Sequence, residues 1–251
     1  MKQTKFIAIS SQKGGVGKST LTVITASILS YLRHKKVAVI DADFPQQFIY
    51  NLRDTELKTI KDDPIRAEAF VRQQLHPYPI HSAVVSKDNN AFSSICQQLD
   101  GNTDVVFVDL PGTMRLDGIS GVWRKMDYIF VPIEPDAESL KSAIGYISVL
   151  EDQILNKPDS RLKNYFVIWN KYRKGEKQEI YNQVEAFFLK KHIPLLPVKI
   201  EDSVYFRRKD LRSTLLPLQK NMMHSHVVEF AAHIEDIISK RSEEIIDNRL
   251  P

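Results

Sequence analysis

Residues 11–20, SQKGGVGKST, bring three glycines, two lysines and three hydroxyl side chains into ten positions. Glycines let backbone N–H groups converge on an anion, and the start of a following helix adds partial positive charge. In such a loop Lys18 is placed to reach the β- and γ-phosphates of a nucleotide, and the Ser19 hydroxyl to bind Mg²⁺. The run KFIAIS before the loop and the helical pattern after it supply the strand–loop–helix context that this chemistry needs. An ordinary glycine-rich turn is the alternative interpretation.

The loop carries a second lysine, Lys13, and Gln12 stands where the general GxxxxGK[ST] loop has its first glycine. The resulting pattern, KGGxGK[ST], resembles the deviant Walker A motif of the ParA/MinD family of ATPases. The resemblance implies that Lys13 contacts the phosphates bound by the other subunit of an ATP-dependent homodimer, and that Gly14 and Gly15 allow close backbone approach between subunits. A solvated loop lysine is the alternative.

The same resemblance assigns roles within the loop. Catalytic roles fall to Lys13 and Lys18, together with Asp43 further along the chain. The expected nucleotide-binding residues of the loop are Gly14, Gly15, Val16, Gly17, Lys18, Ser19 and Thr20.

Two carboxylates end the second apolar run. Asp41 and Asp43 are two positions apart in KVAVIDADFPQQ, so their side chains point to the same side of a strand. The segment resembles the family's DxDPQ motif, with Phe44 inserted before the proline. The resemblance implies that Asp43 orients or activates the attacking water and that Asp41 lies near the magnesium shell. A pair of aspartates in a turn after the strand is the other possibility.

A third carboxylate, Asp109, ends the buried run DVVFVDLPGT. A buried carboxylate is costly unless a cation or hydrogen bonds compensate it. The segment resembles the Walker B element of the family, with Gly112 in place of the second proline of DxPP. The implied metal ligands for Mg²⁺ are therefore Ser19, Asp41 and Asp109.

Asn170, near the end of the run YFVIWNK, matches the position in the family whose amide contacts adenine. An asparagine amide offers both a donor and an acceptor, which suits the edge of that base. A capping asparagine is the alternative. The implied cofactors of the chain are ATP and Mg²⁺.

Strands and helices that alternate along the chain must position these residues. The predicted strands are 5–10, 36–43, 104–111, 127–134, 165–171 and 197–200. The predicted helices are 18–33, 64–75, 90–99, 136–155, 176–191 and 224–246. Strands that are apolar on both faces and separated by helices favour a parallel sheet. We expect one α/β P-loop NTPase domain over residues 1–251, with a mostly parallel twisted sheet covered by helices on both faces; the stretch 44–90 gives little periodic signal.

Composition narrows the function classes. The net charge is +4, and Cys96 is the sole cysteine of 251 residues, which excludes an internal disulfide and a metal cluster held by several cysteines of one chain. The chain has no long apolar run and no signal peptide, so we expect a cytoplasmic protein.

The ends of the chain discriminate among branches of the family. Paired cysteines typical of the nitrogenase-reductase and cluster-carrier branches are missing, as is the tyrosine-rich tail of the bacterial tyrosine kinases. Val227, Ala231, Ile234 and Ile238 follow helical spacing, but the polar side of this helix is net acidic, which argues against a MinD-like membrane anchor. The first strand begins near the N-terminus, as in short ParA proteins. DADFPQQ and RRKDLRSTLLPL look similar to ParA-like ATPases of conjugative or other mobile elements.

The ParA resemblance implies non-specific DNA binding, nucleoid association, a role in DNA partition or transfer, and a ParB-like or other stimulating partner. Residues 203–220 hold five basic side chains against one acidic, and contacts of that kind bind DNA phosphates in a salt-dependent way. For these basic residues, a solvated charged face is the alternative. For the protein as a whole, three alternatives stay open: a MinD-like positioning ATPase, a metabolic phosphotransferase and a module that binds nucleotide without hydrolysis. The expected DNA-binding residues are Arg207, Arg208, Lys209 and Arg212, with Arg173, Lys174 and Lys177 as a second cluster.

Overall fold

The computed structural model describes residues 3–72, 76–176, 178–207, 213–215 and 226–239. Seven strands form one sheet in which every described pairing is parallel, in the order β3-β2-β4-β1-β5-β6-β7. The strands are β1 (Lys5–Ile9), β2 (Val37–Asp41), β3 (Ile80–Ser82), β4 (Val105–Asp109), β5 (Tyr128–Ile133), β6 (Asn164–Tyr172) and β7 (Leu195–Glu201).

Helices connect the strands and cover both faces of the sheet. They are α1 (Lys18–Ser27, continued by a π-helical turn Ile28–Leu32), α2 (Phe48–Asp62), α3 (Pro64–Arg72), α4 (Asn90–Leu99), α5 (Ile119–Trp123), α6 (Ala137–Gln153), α7 (Gln178–Lys190), α8 (Val204–Arg207) and α9 (Val227–Ser239). The predicted α/β fold with a parallel sheet is confirmed.

Two apolar layers lie on the two faces of the sheet. One layer contains residues of α1 and α9, and the other contains residues of α4, α5, α6 and α7. Every residue of β2, β4 and β5 is buried, as continuous apolar runs in a covered parallel sheet require. The apolar stripe Val227, Ala231, Ile234 and Ile238 is buried in the first layer, so the prediction that it packs on the sheet is confirmed.

The differences from the predicted elements are short elements or elements with little burial; α5 is a five-residue helix, with Ile119, Val122 and Trp123 buried. The stretch without a clear signal contains α2 and β3, and α5 follows the Asp109 strand without a predicted counterpart. All residues of α2 are described, and Ile49 alone is buried, so the helix has no continuous apolar stripe that a sequence pattern could reveal. Strand β3 has three residues, too few to show alternation.

Among the described helices, none combines the length and the apolar character needed to cross a membrane.

Candidate nucleotide-binding site

The predicted site residues meet where the carboxyl ends of three neighbouring strands adjoin. Strand β4 lies between β2 and β1, and Asp41 is the register partner of Asp109. The glycine-rich loop leaves β1 and passes directly into α1, which begins at Lys18. In open α/β sheets this carboxyl edge is where ligands bind.

The loop has the backbone that a phosphate cradle requires. Gly15 and Gly17 have φ of 73° and 93°, in the left-handed region that glycine adopts without strain. The side chain of Lys18 is 8% exposed, and its Nζ donates to the backbone carbonyl of Lys13 at 3.2 Å. Burial lowers the pKa of Lys18, while Asp109 and Asp43 oppose that shift. The lysine thus lies across the loop with its charge among the site's carboxylates.

Residues from β6 hold the loop from beneath. The Asn170 side-chain amide, 4% exposed, donates to the carbonyl of Val16 at 2.7 Å. Lys171 donates to the carbonyl of Gly15 at 2.7 Å and pairs with Glu134 at 2.7 Å. A Cβ at Gly17 would come within 2.6 Å of the Asn170 amide nitrogen, so glycine is needed there for close approach as well as for its backbone angle. Asn170 therefore supports the loop in this conformation, and contact with adenine stays a prediction.

Asp109 is fully buried, and neither of its carboxylate oxygens has a hydrogen-bond partner within the described part of the chain. The pKa of Asp109 is raised to about 8: burial is the main cause and the neighbouring Asp41 and Asp43 carboxylates act in the same direction, while Ser19 and Lys18 oppose the shift. The Ser19 hydroxyl is close enough to lower the pKa of Asp109 but makes no well-formed hydrogen bond to either carboxylate oxygen. A buried carboxylate without a partner is unfavourable unless a cation binds there.

Asp41 is also fully buried, but its oxygens are engaged. Oδ2 accepts from the backbone amides of Ile49 at 2.8 Å and Tyr50 at 2.9 Å, and Oδ1 accepts from the amide of Asp43 at 3.3 Å. Burial raises the pKa of Asp41, and these amide bonds oppose the shift. The side chain thereby caps the first turn of α2 from the end of β2 and fixes the turn that carries Asp43. Its place near a magnesium shell stays a prediction.

Asp43 and the glycine-rich loop line one cavity of about 1020 Å³. Burial raises the pKa of Asp43, and Lys18 lowers it. The inserted Phe44 is 56% exposed next to this wall. Of the predicted loop residues, those lining the cavity are Gly14, Gly15, Gly17, Lys18, Ser19 and Thr20.

The residues present fit a magnesium ion. Mg²⁺ is commonly bound by one or two carboxylates together with substrate phosphates. Asp109 offers an unpartnered buried carboxylate next to the Ser19 hydroxyl. Within the described ranges no group of three or more His, Cys, Asp and Glu side chains is arranged to hold a metal by itself. The ion would therefore depend on the nucleotide for most of its ligands.

Lys13 is held within its own chain. Its Nζ lies 2.8 Å from Oδ2 of Asp136, and the other oxygen of Asp136 caps α6 by accepting from the amide of Ser139 at 2.9 Å. Although burial acts in the opposite direction, this bond raises the pKa of Lys13 and lowers that of Asp136. The lysine is thus drawn toward the start of α6.

The sequence matches one family model, described as the CobQ/CobB/MinD/ParA nucleotide binding domain, over residues 7–216. The chain belongs to this family. The predicted ParA/MinD-type relationship is confirmed, and nucleotide binding is the property that the family description states. The loop, Asp43 and Asp109 all lie inside the matched range.

Curated relatives of this ParA/MinD-type chain are distant. The septum site-determining protein MinD of Synechocystis is 26% identical over 170 residues, which cover 61% of this chain and 62% of MinD. The iron-sulfur cluster carrier protein of Methanocaldococcus jannaschii is 34% identical over 132 residues, covering 51% of this chain and 40% of the carrier. The chain therefore spans less than two thirds of the length of either relative.

Solved structures share the fold. A plasmid partition protein of Borrelia burgdorferi bound to AMPPNP has a TM-score of 0.65 at 18% identity, covering 92% of this chain and 99% of that one. MinD in the MinC:MinD complex of Aquifex aeolicus gives 0.64 at 21%, covering 92% and 96%. McdA of Cyanothece, in a D38A variant bound to ATP, gives 0.64 at 14%, covering 96% and 98%. Two of these structures were thus solved with a nucleotide or its analogue.

The structure describes only some of the predicted DNA-binding residues. The backbone of Arg207 ends α8, while Arg208, Lys209, Arg212 and Lys177 lie outside the described residues. Arg173 pairs with Asp202 at 3.0 Å and with Glu176 at 3.1 Å, so its charge is largely compensated, whereas Lys174 is exposed. Arg173 therefore has less uncompensated charge than its sequence suggests, and DNA contact by either cluster stays a prediction.

Sequence reasoning missed the supports of the loop. Lys171 and Asp136 bond to the loop, and Glu134 bonds to Lys171, yet all three are single charged residues at strand or helix ends without a local motif. The sequence EPD after β5 offers one usable signal, because an aspartate immediately before an apolar helical pattern predicts an N-cap. Its bond to Lys13 spans 123 positions and has no sequence signature.

Proposed function

We propose that this protein is a Mg²⁺-dependent ATPase that forms a homodimer when ATP is bound and separates after hydrolysis. The observation that carries the proposal is the Asp109 carboxylate, fully buried and unpartnered within the described residues, beside Lys18 and Ser19 of the glycine-rich loop. A magnesium–nucleotide complex supplies the positive charge that such a group lacks.

Each residue of the site has its own role in binding the nucleotide or in hydrolysis. The loop amides and Lys18 bind the phosphates, and Asp109 and Ser19 hold the metal with the nucleotide. Magnesium, when bound, neutralises charge that develops on the transferred phosphoryl group. Asp43 orients the attacking water from the cavity wall that it shares with Lys18.

Lys13 makes hydrolysis depend on pairing. To reach the phosphates of a second protomer, its ammonium group must leave Asp136. A cation supplied in trans accelerates phosphoryl transfer by roughly 10³–10⁵ in arginine-finger systems. The exchange of one carboxylate partner for a triphosphate is favourable because the triphosphate carries more negative charge.

The cellular role that we propose is DNA partition or transfer, in the cytoplasm and in association with the nucleoid. The ATP dimer binds DNA backbone non-specifically through Arg207, Arg208, Lys209 and Arg212, and a partner protein stimulates release by raising the hydrolysis rate. Pairing brings the basic residues of two subunits to one duplex, which increases weak attraction through multivalency. The support is the similarity in fold to a plasmid partition protein and the local positive charge.

The decisive experiment measures ATPase rate and oligomeric state by sedimentation with ADP and with ATP, each with and without non-specific duplex DNA. We expect slow hydrolysis, a dimer with ATP only, and DNA retention that falls steeply with salt. Lys13→Ala should retain nucleotide binding by the monomer and lose pairing, and Asp43→Ala should give a long-lived ATP dimer. A strictly monomeric ATP form at high concentration would refute the proposal.

DNA binding is tested separately. Reversing charge at Arg207 and Arg208 should weaken DNA retention at low salt while leaving ATP-dependent pairing intact. The matched control reverses Lys190 and Lys191, two basic neighbours at the end of α7. Equal retention by both variants would move the DNA surface elsewhere.

A second candidate function is phosphoryl transfer to a small molecule. The observation that favours it is the length of the cavity, which continues from the phosphate loop along α2 and leaves room for an acceptor. This enzyme would show turnover that depends on the added acceptor and is indifferent to DNA and to substitution of Lys13.

A further inference from the structure

The cavity at the glycine-rich loop is larger than the phosphate site alone. Its volume of about 1020 Å³ lies at the upper end of the roughly 300–1,000 Å³ of single small-ligand pockets. Beyond Asp43 and the loop, its lining is one face of α2 together with Ser213 and Leu215. We call this outer part the α2 chamber. Its lining residues on α2 are Phe48, Asn51, Leu52, Thr55, Glu56, Thr59 and Ile60.

The α2 chamber is lined by a continuous helical face. Its α2 residues recur at intervals of one, three and four positions over three turns, the spacing by which a helix normally packs on a core. In α2, however, Ile49 alone is buried, and on the face that lines the cavity Phe48 and Leu52 are partly buried against the apolar layer that contains α1 and α9. The rest of this face borders the cavity. A helix face in that situation is available to a ligand.

The wall is fixed in place. Glu56 accepts from both the amide and the hydroxyl of Thr214, and Arg53 donates to the Thr214 hydroxyl at 2.7 Å and to its carbonyl at 2.8 Å. The hydroxyl of Tyr31 donates to the same carbonyl at 2.6 Å. These bonds anchor residues 213–215 to α1 and α2, so the chamber is preorganised.

Three polar groups of the chamber, on Thr55, Glu56 and Thr59, are acceptors, while the side-chain amide of Asn51 donates to the carbonyl of Gln46 at 3.0 Å. The hydroxyl protons of Thr55 and Thr59 are donated to backbone carbonyls one turn earlier, at 2.9 and 3.0 Å, which leaves only lone pairs for a ligand. Glu56 adds a carboxylate. Among the lining residues that the structure describes, the cation is Lys18, which lies at the phosphate end.

Apolar side chains form the rest of the chamber lining. Phe48 and Leu52 are partly buried hydrophobic residues, and Ile60 and Leu215 also line the chamber. A suitable occupant therefore donates hydrogen bonds, carries positive charge and has an apolar stem. An alkyl ammonium or guanidinium group has all three properties, whether it belongs to a free amine or to a lysine or arginine side chain.

We propose that the α2 chamber is a second ligand subsite, which takes an ammonium or guanidinium group on an apolar stem next to the nucleotide phosphates. Glu56 pairs with the charge, Thr55 and Thr59 accept its N–H groups, and Phe48 and Leu52 contact the stem. The nucleotide adds negative charge to the shared cavity, so each ligand increases the affinity for the other. This coupling rests on the nucleotide binding in the proposed function, whereas the subsite itself does not.

The probe is n-butylguanidine, compared with n-butylurea, its neutral counterpart of similar shape. Binding is followed by the amide NMR resonances of Thr55 and Thr59, with and without AMPPNP and Mg²⁺. We expect saturable shifts with butylguanidine only, and tighter binding in the presence of nucleotide. Glu56→Gln should weaken binding about tenfold or more, because hydrogen bonds to a charged group are the strong ones; Thr59→Val should weaken it less. Asp54→Asn, on the exposed side of α2 where Asp54 pairs with Lys58, is the control.

The outcomes separate the two proposals. Equal binding of butylurea, or unchanged affinity in both Glu56→Gln and Thr59→Val, would overturn the subsite. If AMPPNP with Mg²⁺ did not shift the amide resonances of Gly14 and Gly15 in the wild-type protein, that result would instead count against the proposed function. Competition by the capped tripeptide Leu-Arg-Leu would identify a protein side chain as a source of the cation, and its exclusion would identify a free amine.

Discussion

The ammonium nitrogen of Lys13 lies 2.8 Å from Oδ2 of Asp136 in the same chain. The pair joins the glycine-rich loop to the first turn of α6, and the exposed fractions of its side chains are 19% and 42%. An ion pair this accessible to water contributes about 0.2–1 kcal/mol. It is weak enough to be exchanged for a triphosphate and strong enough to affect the equilibrium.

Asp136→Asn tests whether this pair restrains dimer formation. Asparagine caps a helix as well as aspartate does, so α6 and the stability of the fold should be nearly unaffected. Freed of its partner, Lys13 should increase self-association of the AMPPNP-bound protein by about two- to fivefold, measured by sedimentation equilibrium. Glu138→Gln, which removes a nearby charge without a bond to Lys13, is the control. Weaker association in Asp136→Asn would show that the carboxylate assists pairing.

Asp109→Asn tests the cost of the buried carboxylate. The pKa of Asp109 is about 8 in the folded chain against 3.8 as the ordinary value, so between those limits the folded state binds more protons than the unfolded state. Stability of the nucleotide-free protein therefore falls as pH rises through this window. The variant lacks this penalty, so its melting temperature should match the wild type near pH 4 and exceed it by a few degrees near pH 8.5.

The same substitution should abolish the stabilisation by ATP and Mg²⁺, because the neutral amide is a poor magnesium ligand. Thermal scans at each pH, with and without Mg²⁺ and AMPPNP, measure both effects. A melting difference that does not change with pH would contradict the assignment of the high pKa to Asp109.

Lys171→Met tests the support of the loop from β6. The substitution removes the bonds to the Gly15 carbonyl and to Glu134 but keeps an unbranched side chain. We expect AMPPNP affinity to fall roughly three- to tenfold, measured by calorimetry, since the loop loses one charge-assisted hydrogen bond. Lys174→Met removes an exposed lysine three residues away and should leave affinity unchanged. If both variants bind alike, the β6 contact does not hold the loop.

Gly112→Ala tests the space around the phosphate-binding lysine. A Cβ at Gly112 would lie 3.0 Å from Nζ of Lys18, so the tip of the lysine must move while the backbone stays in place. We expect weaker nucleotide binding with little change in the melting temperature. Gly145→Ala on α6, where a Cβ meets nothing within 4 Å, is the control and should be neutral or slightly stabilising. Normal affinity in Gly112→Ala would show that Lys18 tolerates the shift.

Much of the site was predictable because its main parts are local. The glycine-rich loop lies between an apolar strand and a helix, and the two carboxylate runs end in Asp43 and Asp109, so strand pattern and turn chemistry place them at one edge of a parallel sheet. The order β2-β4-β1 then brings those ends together. The buried stripe of α9 was predictable for a similar reason, since helical spacing and apolar character coincide there.

The α2 region was not predictable, because its stability comes from partners elsewhere in the chain. Asp41, from the end of β2, caps α2 in place of a local N-cap residue. The face of α2 that lines the cavity is not fully buried, so it carries no apolar pattern that a sequence could show. The contacts that bind residues 213–215 to Arg53 and Glu56 span more than 150 positions.

The sequence by itself determined the parallel α/β class and the family, because glycine spacing and apolar period act over a few residues. The chemistry at the glycine-rich loop stays a prediction from the same spacing. Only the tertiary structure decided that Asn170 and Lys171 support the loop, that Asp41 caps α2, that Asp109 has no partner among the described residues and that Lys13 pairs with Asp136. Those outcomes depend on distances between side chains that the chain brings together from far apart, and on how much water each charge retains.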